Sequence, residues 1–215
     1  DQIHIIMIKA ALFDLDGVVL DTETQYTKFW GGQFRRYYPE SPGLEHKIKG
    51  MTLTQIFDAH YAGKKDIQEA ITRELNEYEQ QMNYGYIPGF EAFVKQLRRR
   101  NIKTAVVTSS NLAKMEKVYR KQPGLKLYFD KILTSEDFTK SKPDPDSYLK
   151  GAAALGMQPE ECLGFEDSIN GLKAARAAGL YSVGLTTTIS RDVVAELCDV
   201  VIDDFTQIHV SDLLE

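Results

Sequence analysis

The 215-residue chain is 43% hydrophobic and 27% charged, with a formal net charge of −5. That suits one domain, or one core domain with a modest insert, and it argues against general nucleic-acid binding, which needs a basic surface. No apolar run approaches bilayer length, and Cys162 and Cys198 lack the paired spacing of a disulfide framework or a zinc site.

The start, "DQIHIIMIKA", has no basic leader region and no small-residue cleavage site, so it does not read as a signal peptide. Met7 is a candidate natural start, with residues 1–6 read as an extension. A reducing, cytoplasmic setting fits two unpaired thiols.

"IIMIKAALF" (5–13) is a short apolar run that stops at acids, the pattern of a buried strand. Residues 22–87 then read as helical. Tyr26, Trp30, Phe34 and Tyr37 recur at helical spacing, "TLTQIFDAHY" and "KKDIQEAITRELNEYEQQM" follow, and "NYGYIPG" is rich in turn formers. This segment is expected to be a helical insert after the first strand, joined by two hinges.

From residue 88 strand-like and helix-like stretches alternate. Phe90, Phe93, Val94 and Leu97 share one helical face within 89–100. "TAVVT" (104–108) reads as a strand and 111–121 as a helix with Asn111 at its start. Strands are expected at 131–133, 162–166, 182–185 and 199–203, and helices ending at glycine at 144–156 and 167–179. Strand alternating with helix predicts an α/β fold with a doubly wound parallel sheet and right-handed crossovers. Lys95, Arg98, Arg99, Arg100 and Lys103 fit a solvated helix end better than a nucleic-acid footprint.

In such a sheet, ligands bind outside the carboxyl ends of the strands. Asp14 and Asp16 sit at one end, Thr108 and Ser109 at a second, Glu166 and Asp167 at a third, and Lys142 lies in the Pro-constrained "KSKPDPD". Residues two apart on a strand face one way, so Asp14 and Asp16 would point together. Carboxylates so gathered repel one another unless a cation joins them, and oxygen ligands without His or Cys suit a hard ion such as Mg²⁺. The ammonium and hydroxyl groups suit an anion. Metal, anion and a carboxylate nucleophile together describe phosphoryl transfer through an aspartyl-phosphate.

Each part has a plainer reading. Asp-x-Asp-Gly is also a turn and part of a calcium-loop pattern, although the twelfth position from Asp14 is Gln25 rather than Glu. Thr108 or Ser109 could cap the helix near 111, Lys142 could be surface charge, and Glu166 or Asp167 could cap the helix at 168–179. The four together, each at a strand end, favour a site.

On these motifs the chain resembles the haloacid dehalogenase superfamily, in its phosphatase and β-phosphoglucomutase-like branch. "DLDGVVLDTE" matches the first motif of that family, "VVTSSN" the second, "SKPDPDSYL" the third and "GFEDSINGLKAARAAG" the fourth. The resemblance implies a Rossmann-like core over 1–21 and 88–215 with a small helical cap domain over 22–87. It implies Asp14 as nucleophile and Asp16 as general acid, then base. It implies Mg²⁺ held by Asp14, Asp167 and the carbonyl of Asp16, with Glu166 in or beside that set. Thr108 and the Ser109 amide would bind the transferring phosphate, and Lys142 would neutralise it.

Other designs lack their parts. Six residues after Cys162 stands Ser168, and after Cys198 Asp204, so the cysteine–arginine phosphatase pattern is missing. His4, His46, His60 and His209 lie away from the motifs, and Asp58 stands where a P-loop ahead of Gly63 needs glycine. Dehalogenation is disfavoured because Asp16 is present. A phosphomutase is the nearest rival, but Tyr26 stands where the β-phosphoglucomutases have a hinge histidine, and Leu53 where they have a cap arginine. A pyrophosphatase, and a phosphate-ester-binding module without turnover, stay open. The expectation is a monomeric, cytoplasmic, Mg²⁺-dependent hydrolase of a small phosphorylated metabolite, with no nucleic-acid or membrane partner. Tyr26, Trp30, Lys49, Met51 and Thr52 are the candidates for substrate choice, and cap core is an equal alternative for Tyr26 and Trp30.

Overall fold

The alternating apolar runs become strands β1 (Ala10–Phe13), β2 (Lys103–Val107), β3 (Lys131–Leu133), β4 (Cys162–Glu166), β5 (Tyr181–Leu185) and β6 (Val200–Ile202). A computed structural model describes residues 6–214; His4, Ile5 and the rest of 1–5 lie outside the described residues. All pairings are parallel, in the order β3-β2-β1-β4-β5-β6. The order reverses direction at β1, so its carboxyl end opens into the crevice where such sheets bind ligands. No helix among the described residues is long and apolar enough to cross a membrane.

The first strand is shorter than its apolar run. Its neighbours begin at Lys103 and Cys162, both in register with Ala10, so residues upstream of Lys9 have no ladder to join. Ile6 and Met7 are accordingly 61% and 64% exposed. The last strand, expected over 199–203, is likewise trimmed to Val200–Ile202.

Alternation along the strands sorts two apolar layers. Ala11, Phe13, Val106, Leu163 and Phe165 face α5 (Phe90–Arg99) and α6 (Leu112–Lys121). Ala10, Leu12, Ala105, Val107 and Cys162 face α7 (Asp146–Ala154) and α8 (Ile169–Ala178). Phe13 stacks on Phe165 at 4.5 Å between centroids and meets Phe90 edge-on at 5.5 Å.

Between β1 and α5 run α1 (Glu23–Tyr37), α2 (Leu44–Lys47), α3 (Leu53–His60) and α4 (Lys65–Gln81). They bury a cluster of their own, including Phe29, Trp30, Phe34, Tyr61 and Ile71, while Met82, Tyr84 and Ile87 pack with the sheet-side layer. The chain leaves and rejoins the sheet along one track. The Asp21 amide donates to the Gly85 carbonyl at 2.8 Å, the Ile87 amide to Val19 at 3.0 Å, and Leu20 bridges Tyr86 antiparallel. Two short helices, α9 (Arg191–Ala195) and α10 (Ser211–Leu214), complete the α-helices among the described residues.

Phe13→Ala removes the ring that joins β1, β4 and α5. It is expected to lower unfolding free energy by about 3–5 kcal/mol, as for other buried aromatics, read by urea denaturation. A loss under about 1 kcal/mol would contradict this packing.

Candidate active site

The loop after β1 explains how acids come to stand at the end of an apolar strand. The Asp14 amide still donates to Phe165 at 3.0 Å, holding one further residue in the sheet. The chain then coils: the amides of Val19 and Leu20 donate to the Leu15 carbonyl at 2.9 and 3.0 Å, and the Gly17 amide to Leu20 at 2.8 Å. Leu15, Val18, Val19 and Leu20 are fully buried and anchor the coil, which leaves Asp14 and Asp16 on the cavity side. Gly17 has φ +81°, and a Cβ there would lie 2.1 Å from Asp167 Oδ2. Only glycine combines that backbone with that approach.

Lys142 is 2% exposed, so it is not surface charge. Its ammonium donates to Asp14 Oδ1 at 3.1 Å, Glu166 Oε1 at 2.6 Å and the Val107 carbonyl at 3.0 Å, which uses all three donors. Burial pushes this ammonium's pKa down, but Asp14 and Glu166 outweigh it and the net shift is upward. Glu166 also accepts from the Tyr148 hydroxyl, and from the Asp167 amide at 3.3 Å. A Cβ on Gly171 would fall 1.9 Å from Glu166 Oε2, so α8 can come this near only with glycine there.

The helices are capped by other residues than the acids and hydroxyls considered above. Asn111 caps α6 by accepting from the Lys114 amide at 2.9 Å, and Ser168 caps α8 by accepting from Gly171 at 3.0 Å. Thr108 Oγ1 accepts from the Ser110 amide at 3.0 Å, and Ser109 donates to the Gly50 carbonyl at 3.2 Å.

Asp14, Glu166 and Asp167 each offer an oxygen within 4.8 Å of the others. Asp167 Oδ2 accepts from Thr188, while buried Asp167 Oδ1 has no hydrogen-bond partner. Burial first, then Asp14 and other carboxylates, push the Asp167 carboxyl well above its ordinary range. Burial and Asp14 likewise push Glu166 up to about 7, against the opposing pull of Lys142. A buried oxygen without a donor, beside two more carboxylates, fits a small hard cation.

Asp16 is held separately. Oδ1 accepts from Thr22 at 2.5 Å, and Oδ2 from Ser110 at 3.2 Å and from the Lys114 ammonium. Lys114 also lies 4.4 Å from the centroid of the Tyr26 ring. The Tyr26 hydroxyl donates to Glu79 at 2.6 Å, and Lys117 reaches Glu79 at 3.3 Å. A polar chain therefore runs from Asp16 through α6 to α1 and α4.

These groups surround a cavity of about 620 Å³ between the sheet edge and the helical segment. Asp14, Asp16, Asp167, Thr108 and Ser109 line it, and so do Tyr26, Trp30, Lys49, Met51 and Thr52. Tyr26 and Trp30 belong to the helical segment's apolar cluster as well, so both readings of them hold. Lys49 is engaged with Glu23 Oε2 at 2.6 Å, and Thr52 caps α3. Lys142 and Glu166 lie beneath the cavity floor rather than in its wall. The first turn of α3 reaches the loop before α7, where Gln55 Nε2 donates to the Lys142 carbonyl at 3.3 Å.

Several of these contacts gave no signal in the sequence. Lys114 looks like one more lysine on an amphipathic helix, and Ser110, Tyr148 and Thr188 are ordinary residue types in loops and helices. Thr22, Ser110 and Tyr148 fall inside the first, second and third motifs, which marked their neighbourhood but not their contacts.

The family model of haloacid dehalogenase-like hydrolases matches residues 8–179. The chain belongs to that family, and it is an enzyme of its phosphatase and phosphomutase kind. It is 28% identical over 222 residues to validoxylamine A 7'-phosphate phosphatase of Streptomyces hygroscopicus subsp. limoneus, covering 94% of this chain and 97% of that one. It is 28% identical over 191 residues to β-phosphoglucomutase of Bacillus subtilis (strain 168), covering 83% of each. A crystal structure of a family IA, variant 3 hydrolase from Entamoeba histolytica HM-1:IMSS superposes with a TM-score of 0.82 at 24% identity, over 96% of this chain and 98% of that one, and so shares the fold.

The raised carboxyls give a pH signature. Folded Glu166 and Asp167 hold protons more tightly than the unfolded chain does. The cation-free fold should therefore lose stability as pH rises from the ordinary glutamate value of 4.5 through about 7. A divalent cation bound among these carboxylates would replace those protons, so its increase in melting temperature should be larger near pH ~8 than near pH ~5.5. Equal increases at both values would contradict the cation site.

Proposed function

We propose that the protein is a Mg²⁺-dependent phosphatase that hydrolyses a small phosphate monoester through an aspartyl-phosphate on Asp14. One observation carries the reading: Asp14 and Asp16 face one cavity in different surroundings. Asp14 stands with Glu166, Asp167 and Lys142, and Asp16 stands with Thr22, Ser110 and Lys114. Two carboxylates in contrasting environments suit two different roles.

In this reading Asp14, Asp167 and the Asp16 carbonyl hold Mg²⁺, with Glu166 beside them. The ion, when bound, offsets the negative charge of the phosphoryl group and of the carboxylates. Lys142 fixes one oxygen of Asp14, and the carboxylate attacks phosphorus while the ester P–O bond breaks. Asp16 gives its proton to the departing alcohol oxygen. Thr108 and the Ser109 amide bind the transferring oxygens, where charge stabilisation contributes most. Asp16 then takes a proton from water as the water oxygen attacks phosphorus. The bond to Asp14 breaks, inorganic phosphate leaves, and both carboxyls regain their starting states.

We assign residues 1–21 and 88–215 to the core and 22–87 to a cap. The contacts of Gln55 with Lys142 and of Ser109 with Gly50 support a cap that closes on the sheet edge and keeps bulk water from Asp16. Tyr26 and Lys49 then border the leaving group. We place the enzyme in the cytoplasm as a monomer.

The similarity to a β-phosphoglucomutase keeps one second reading, phosphoryl transfer between two hydroxyls of a sugar. Against it, the Tyr26 hydroxyl is committed to Glu79 and not turned to Asp16.

The test is phosphate release from a panel of esters, with Mg²⁺ or with EDTA. Asp14→Asn should abolish release, and Asp16→Asn should lower kcat by ~10²-fold or more. Full activity in either variant would overturn the mechanism. β-Glucose 1-phosphate, supplied with its bisphosphate activator, separates the readings: glucose 6-phosphate formed without matching free phosphate would establish the mutase.

A further inference from the structure

The cavity wall is acidic beyond Asp14, Asp16 and Asp167 themselves. Glu23 and Glu79 line it from the first and last helices of the proposed cap, Glu45 from α2, and Glu136 from the opposite rim. Two cations line the same cavity, Lys49 and Lys114, and no arginine does. Both lysines are committed. Lys49 donates to Glu23 Oε2 at 2.6 Å and to the Glu23 carbonyl at 3.2 Å, and Lys114 donates to Asp16 with its charge beside the Tyr26 ring. Glu79 is paired with Lys117 at 3.3 Å, whereas among the described residues no lysine or arginine nitrogen lies within 4.0 Å of the Glu45 carboxylate, which has only His46 Nε2 at 3.9 Å.

An anionic group carried in the leaving group would therefore meet carboxylates. It could gain a lysine only by breaking a part-buried pair, which would leave Glu23 or Asp16 uncompensated. A hydroxyl or an amine meets the opposite situation, since carboxylate and amide oxygens accept its hydrogens. Asn76, Thr72 and Asn111 add further polar contacts, while Trp30 and Leu75 offer an apolar face for the carbon side of a ring. A cavity of about 620 Å³ has room for a sugar-sized group.

We infer that this site selects phosphate monoesters of uncharged or amine-bearing polyols, and rejects esters whose leaving group carries a second phosphate or a carboxylate. The inference rests on the phosphatase reading and narrows it. It sets pyrophosphate and sugar bisphosphates outside the preferred class.

The experiment compares kcat/KM for glucose 6-phosphate and glucosamine 6-phosphate with values for fructose 1,6-bisphosphate, phosphoglycolate and pyrophosphate, all at saturating Mg²⁺. The acidic compounds should be poorer by about tenfold or more. Glu45→Lys should shift the ratio of fructose 1,6-bisphosphate to glucose 6-phosphate upward by about threefold or more. Calorimetric binding of the same five compounds to Asp14→Asn separates the two claims. Turnover without discrimination against the acidic compounds overturns this inference and leaves the phosphatase standing. Binding in the expected order without turnover in the wild type supports the inference and overturns hydrolysis. Neither turnover nor preferential binding overturns both.

Discussion

Lys142 places its ammonium between the carboxylates of Asp14 and Glu166 and the carbonyl of Val107, and the rest of the site is arranged around that contact. The three partners lie at the ends of β1, β4 and β2. One cation from the loop before α7 thus ties together the central strands of the sheet. Removing one partner of a buried pair typically costs about 3–5 kcal/mol, because the other charge is left without compensation. The same charge lets Asp14, at the cavity, and fully buried Glu166 stand side by side.

Around that contact lies a layer of residues that hold the carboxylates in place. Tyr148 fixes Glu166 from α7, and Thr188 fixes Asp167 from the loop after β5. The Thr187 hydroxyl donates to the Gly17 carbonyl at 2.5 Å, so this loop steadies the coil after β1 as well. Gly17 and Gly171 make room where backbone and carboxylate nearly touch. Such support keeps first-contact groups oriented around a cation. It also leaves the buried Asp167 Oδ1 without a donor.

Much of this architecture was legible because strand ends are marked by chemistry. Apolar runs that halt at Asp14, Thr108 and Glu166 located β1, β2 and β4, and helical spacing located α1 and α5. The boundaries of β1 could not be read from its own residues. They depend on where β2 and β4 begin. Capping was similarly ambiguous: Thr108 and Asn111 are both good caps in sequence, and only the backbone path selects Asn111. Lys114 shows the limit of the method. Its position on α6 predicts a solvated lysine, yet the fold brings it to Asp16 and Tyr26, both distant in sequence.

The paired track that carries the chain out past Asp21 and back at Gly85 bears on how such proteins diversify. Because the two ends of the proposed cap are hydrogen-bonded side by side, whatever lies between them is a closed excursion from the sheet. Its length and composition can change at small entropic cost to the core, since the closure is made by the stalk and not by the helices. The part of the molecule that touches the alcohol is thereby separated from the part that handles phosphorus. Exchanging the excursion would give the same chemistry a new clientele.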